Sequence, residues 1–86
     1  MQRNHAIWRS RRGLKELDLL LVPFAEALFD ALTDAQRAAY AELLLRDDPD
    51  IWAWLSARSA PPADLAEIVA MIVAASSSRG ARRESP

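Results

Sequence analysis

Leu14, Leu17, Leu21, Phe24, Leu28 and Leu32 recur at steps of three and four residues, which lines six large apolar side chains along one face of a helix. A face that wide has to be buried, so the rest of the chain is expected to pack around it. Helical spacing continues downstream. Tyr40, Leu43 and Leu44 are followed by Ile51, Trp54 and Leu55, with Trp52 on the other side. Leu65, Ile68, Val69, Ile72 and Val73 then stand at i, i+3, i+4, i+7 and i+8. A shorter helical pattern from His5 to Arg12 precedes the long stripe. Strand-like alternation is absent, and the spacing predicts an all-α fold of five helices.

Turn and cap residues divide the chain at matching places. Gly13 ends the first pattern. Pro23 lies inside the long stripe, where it removes a donor and crowds the carbonyl of Leu19, so a kink is expected between Leu19 and Pro23. Thr33 followed by Gln36 forms a capping box that starts a helix after Leu32. Asp48 followed by Pro49 reads as a cap with proline at the first helical position. Pro61 and Pro62 break the chain before the last helix, which is expected to stop near Ala75. Short connections make this a single compact bundle over residues 1 to 75. Residues 76 to 86 hold four serines, Gly80 and four charged residues with no apolar anchor, and are expected to be a disordered tail.

At 86 residues the chain is near the lower limit for a domain that folds alone, with an expected radius of gyration of about 12 Å and little room for a deep substrate cavity. The absence of cysteine removes disulfides, thiolate metal sites and thiol catalysis together. The single histidine, His5, has no partner at motif spacing, and Gly13 and Gly80 build no phosphate loop. Asp47-Asp48-Pro49-Asp50 lacks the spread of oxygen ligands that a calcium loop needs, and capping accounts for it better. These exclusions leave neither an enzyme nor a metal protein. The longest apolar run, Leu17 to Leu32, includes Asp18, Glu26 and Asp30, whereas a membrane span needs about 20 apolar residues. The start of the chain lacks the apolar stretch of a secretion signal, so a cytoplasmic protein is expected.

Charge is unevenly placed along a chain whose net charge is −1. Residues 1 to 16 carry Arg3, Arg9, Arg11, Arg12 and Lys15 against Glu16 alone, while residues 17 to 75 carry ten acids against Arg37, Arg46 and Arg58. A basic entry segment on an acidic body suits an oriented contact with something acidic. It argues against coating nucleic acid with the whole surface.

The corner at Gly13 draws two readings. In one, Gly13 permits the positive φ that ends a helix, and Glu16 falls at the third position of the next helix, opposing the dipole and reaching the cap N–H. In the other, the corner is exposed and binds a protein. Trp8, Arg9, Arg11, Arg12 and Lys15 crowd this segment, and Trp and Arg are enriched at binding hot spots. Arg12 and Glu16 then offer opposite charges about a helical turn apart.

Ile7-Trp8-Arg9-Ser10-Arg11-Arg12-Gly13-Leu14-Lys15-Glu16-Leu17-Asp18, followed by Leu20-Leu21, Phe24, Leu44 and Asp47-Asp48-Pro49-Asp50-Ile51-Trp52-Ala53-Trp54-Leu55, resembles the succinate dehydrogenase assembly factor 2 family of flavinylation factors. The resemblance covers about residues 3 to 73. Arg-Gly-x-x-Glu is weak alone; the flanking Trp-Arg-Ser, the Leu-Asp and the downstream Asp-Asp-Pro-Asp in register make it specific.

The resemblance implies a five-helix assembly chaperone. Its partner would be the flavoprotein subunit of succinate dehydrogenase, or of fumarate reductase, and it would promote covalent attachment of FAD to a histidine of that subunit. The motif falls on Arg12, Gly13 and Glu16, with Trp8, Arg11 and Asp18 expected to share the partner contact. The groups that make the histidyl–flavin bond belong to the client, so a factor of this kind acts by holding the client in a productive conformation. FAD is then the client's cofactor, and tight binding by the factor itself is not expected. A monomer without nucleic-acid partner or membrane insertion completes the expectation. The alternatives are a helical toxin-neutralising module and a nucleic-acid-binding module, the latter opposed by the acidic middle of the chain.

Overall fold

In the computed structural model, the described residues are 1–84 for the backbone and 1–77 for the side chains. Five α-helices follow in order: α1 (Arg3–Ser10), α2 (Lys15–Leu28), α3 (Asp34–Leu44), α4 (Asp48–Leu55) and α5 (Ala66–Glu84). Short 3₁₀ turns at Phe29–Ala31 and Ala63–Leu65 lead out of α2 and into α5. The all-α expectation holds, and the radius of gyration is 12.3 Å. α5 carries helical backbone past Ala75, where the apolar pattern ends. The side chains from residue 78 onward and residues 85 and 86 altogether lie outside the described residues, so most of the expected disordered tail is described by its backbone alone.

The core is the long stripe with the faces of the other helices closed over it. Leu17, Leu21 and Phe24 are fully buried against Tyr40, Leu43, Leu44, Ile51, Leu65, Ile68 and Ile72. Two ends of the expected faces lie outside this core. Leu14 is 42% exposed because it is the residue before α2, with extended backbone, and Val73 is 39% exposed. Phe29, which the stripe does not include, takes a core place instead because the 3₁₀ turn after Leu28 rotates it inward. α2 remains one helix through Pro23.

The caps follow the residues that make them. Thr33 accepts from the Gln36 amide at 3.1 Å and the Gln36 side chain accepts from the Thr33 amide at 2.9 Å, completing the expected capping box. α4 begins one residue earlier than expected: Asp47 is the cap, Asp48 opens the helix, and Pro49 follows inside the first turn. The Asp48 carboxylate is thereby free for a distant partner. α4 ends with Ala57 at φ 63°, its amide donating to Trp54 O at 3.2 Å while the Arg58 amide donates to Ala53 O at 2.8 Å. This is a left-handed helix stop with alanine where glycine is usual.

Tyr40 stands at the centre. Its ring lies 5.5 Å from Phe24 and 6.3 Å from Phe29, centre to centre. Its hydroxyl is 2.6 Å from Ser10 Oγ and 3.2 Å from Leu21 O, which ties α3 to both α1 and α2 inside the core. Ser10, among the described residues the one buried polar residue outside the apolar set, also donates to Ala6 O at 2.7 Å.

Candidate functional site

α1 ends at Ser10 and α2 begins at Lys15, so residues 11 to 14 alone must turn the chain. Gly13 makes the turn at φ 86°, a left-handed conformation in which an L side chain is strained. A Cβ built at Gly13 meets nothing within 4 Å, so conformation and not crowding by this chain selects glycine. The Arg12 amide donates to Asp18 Oδ1 at 2.7 Å, which fastens the turn to the first part of α2. The reach-back expected of Glu16 therefore belongs to Asp18. Glu16 occupies the second position of α2, makes no cap bond, and is exposed.

Arg12 turns inward. Its Nε donates to Asp48 Oδ1 at 2.8 Å, its Nη1 to Leu44 O at 2.9 Å and Arg9 O at 3.2 Å, and its Nη2 to Arg46 O at 3.1 Å. Only 15% of the side chain remains exposed. Arg9 lies in the last turn of α1 and Leu44 ends α3, so the guanidinium satisfies carbonyls that helix ends leave without donors. It also sets positive charge against the negative ends of two helix dipoles, while Asp48 sets negative charge at the start of α4. Three helix ends meet on one ion pair.

Trp8, Arg11, Gly13 and Glu16 face solvent around this pair, Trp8 with 70% of its surface exposed. Trp8, Arg9, Arg11, Arg12 and Asp48 line an open depression of about 380 Å³. Among the described residues the ion pairs are Arg3–Asp30, Arg12–Asp48 and Arg37–Asp34, and none of these residues pairs with Arg9, Arg11 or Lys15. The floor of the depression is neutralised and its rim is cationic. Beneath it, burial pushes the Tyr40 phenol up to about 12, against smaller opposing effects of the Ser10 hydrogen bond and the Arg12 charge.

The structure thus separates the six expected site residues into two groups. Trp8, Arg11, Gly13 and Glu16 are presented outward, whereas Arg12 and Asp18 are engaged in holding the corner. Asp48, Ser10 and Tyr40 support the corner and were not singled out for it by sequence reasoning. Asp48 was visible only as a cap, because nothing local marks a carboxylate for an arginine 36 positions away. Among the described residues no three His, Cys, Asp or Glu side chains are grouped as metal ligands, and no helix is long and apolar enough to cross a membrane.

The family described as the flavinator of succinate dehydrogenase matches residues 4–76, a span that includes the whole corner and its Asp48 partner. This chain belongs to the succinate dehydrogenase flavinator family. Relatives include the FAD assembly factor SdhE of Legionella pneumophila (strain Paris), 41% identical over 71 residues that cover 83% of this chain and 90% of the relative. The FAD assembly factor SdhE of Yersinia pseudotuberculosis is 38% identical over 74 residues, 85% of this chain and 84% of that protein. That of Pseudomonas syringae pv. tomato is 41% identical over 71 residues, 81% and 84% of the two chains. The flavinator match confirms the resemblance drawn from the motif and its flanks. In this flavinator the motif arginine is directed into the protein and the residue before it is directed out.

Proposed function

We infer that this protein is an assembly factor that promotes covalent attachment of FAD to the flavoprotein subunit of succinate dehydrogenase. The observation that carries the reading is the family match over residues 4–76, which runs through the Gly13 corner. The corner's chemistry supports it. Indole and guanidinium groups on an exposed bend suit recognition of a folded protein surface, and a cationic rim suits acidic or carbonyl groups on that surface. The factor binds the client and aligns it, while the client supplies the bond-forming groups.

In this reading Trp8, Arg11, Gly13 and Glu16 meet the client, and Arg12 and Asp18 belong to the same contact region. The client is the flavoprotein subunit of succinate dehydrogenase or of fumarate reductase, and FAD remains the client's cofactor. Trp8 as the single aromatic lining residue of an open depression supports weak binding of free flavin at most. The factor works as a cytoplasmic monomer.

The test is flavin fluorescence of the denatured client subunit after incubation with FAD, with and without this protein. A stronger covalent flavin band in its presence is the expected result, and equal bands refute the reading. Glu16→Ala and Gly13→Arg are expected to keep helical circular dichroism and lose the stimulation. Full stimulation by both folded variants would leave the corner as a helix connection and nothing more.

A further inference from the structure

We propose that Arg12 is a positioning residue: its guanidinium holds the corner to α3 and α4 through Asp48, and it does so without itself touching the client. The proposal deepens the function inferred above and rests on it. Four acceptors, Asp48 Oδ1, Leu44 O, Arg9 O and Arg46 O, lie within 3.2 Å of its nitrogens. A guanidinium has five donors in a fixed plane, so this set consumes most of its capacity. To reach a client carboxylate the side chain would have to abandon bonds to three helix ends and strand Asp48, whose own side chain is 28% exposed. Arg11, next along the chain, has none of these attachments and is exposed.

The same contacts explain why the position needs arginine. Lysine keeps the charge beside Asp48 but has no planar fork with which to span carbonyls from α1, from α3 and from the α3–α4 connection together. The motif is therefore larger in space than in sequence: Asp48 belongs to it in effect, acting on the client only through Arg12. Loss of either residue lowers the fraction of molecules whose Trp8, Arg11 and Glu16 are arranged for binding. A client that binds selects the competent arrangement, so the cost falls on affinity and not on the rate at saturation.

Client labelling is to be measured against factor concentration for the wild type, Arg12→Ala, Arg12→Lys, Asp48→Asn and the double variant Arg12→Ala/Asp48→Asn. Each alanine or asparagine variant is expected to raise the half-saturating concentration roughly 10-fold with the saturated rate unchanged, as a fall in competent fraction to about a tenth requires. Arg12→Lys should fall between these and the wild type. The double variant should be no worse than the weaker single one, since the two residues act as one unit. A normal Asp48→Asn beside a defective Arg12→Ala, effects that multiply in the double variant, or a lowered saturated rate would overturn the proposal, because each means that Arg12 acts on the client directly.

Amide hydrogen exchange of the free protein keeps this result separate from the functional reading. The amides of Arg11 and Arg12, bonded to Trp8 O and Asp18 Oδ1, should exchange faster in Arg12→Ala and in Asp48→Asn, with the amides of Tyr40 and Leu43 still protected. If the wild type fails to stimulate labelling, the assembly reading falls, and faster exchange at the corner still upholds the clamp. Unchanged exchange at the corner in both variants refutes it.

Discussion

Arg12 and Asp48, 36 positions apart in the chain, meet at 2.8 Å where the ends of α1, α3 and α4 converge. A pair this well enclosed differs in kind from Arg3–Asp30, where the atoms are 3.7 Å apart and the acid is 76% exposed. Arg12→Ala removes a charged donor from three carbonyls and leaves a half-enclosed carboxylate without its partner. The expected loss of stability is about 2–3 kcal/mol by urea denaturation. Arg11→Ala, at the exposed neighbouring position, should stay within about 0.5 kcal/mol of the wild type.

Trp8 should show the opposite division. With 70% of its surface in solvent it contributes little to the core, so Trp8→Ala should leave the urea midpoint nearly unchanged. If it is a hot spot for the client, the variant should weaken client capture by about 2 kcal/mol, roughly 30-fold in apparent affinity by titration.

Gly13 has room for a side chain but not the backbone angle for one. Asparagine tolerates left-handed backbone and valine does not, so Gly13→Asn should cost less than about 1 kcal/mol and Gly13→Val about 2 kcal/mol or more. Equal losses in denaturation experiments would mean that crowding matters there after all. Loss of client labelling by a stable Gly13→Asn would show that the partner itself approaches this residue closely.

Ala57 closes α4 at φ 63°, the position that glycine occupies in most stops of this kind. Ala57→Gly should therefore stabilise the protein by up to about 1 kcal/mol, relief of strain outweighing the greater freedom of the unfolded chain. A destabilised variant in chemical denaturation would contradict this.

Tyr40 is the protein's single tyrosine, so its ionisation is read directly from tyrosinate absorbance. Burial favours the neutral phenol, raising its pKa from 10.0 in the unfolded chain to about 12 in the folded one. Between those values the unfolded state has released the proton and the folded state retains it, so stability is full below pH 10 and declines towards about pH 12. The contribution at stake is on the order of 3 kcal/mol. Tyr40→Phe should remove this part of the alkaline decline while costing about 1 kcal/mol near neutral pH through its lost hydroxyl contacts.

Sequence periodicity alone located the helices, because a face of Leu17, Leu21 and Phe24 has only one way to leave water. The Thr33–Gln36 box and the positive φ of Gly13 were equally legible, since both depend on groups a few bonds apart. The motif residues were legible as a set, although their roles were not. Glu16 read as the residue that reaches back to the corner, and Asp18 does so instead, because α2 starts at Lys15 and the carboxylate one turn further along faces the Arg12 amide.

What the chain determined by itself was therefore the existence and order of the helices, the Thr33–Gln36 cap, and a cationic, tryptophan-bearing bend, each governed by near neighbours in the chain. Tertiary structure decided which arginine of the adjacent pair is enclosed and which is left facing solvent. Arg11 and Arg12 are chemically identical and adjacent, and only the convergence of helix ends around one of them supplies acceptors in a geometry that a planar guanidinium can satisfy.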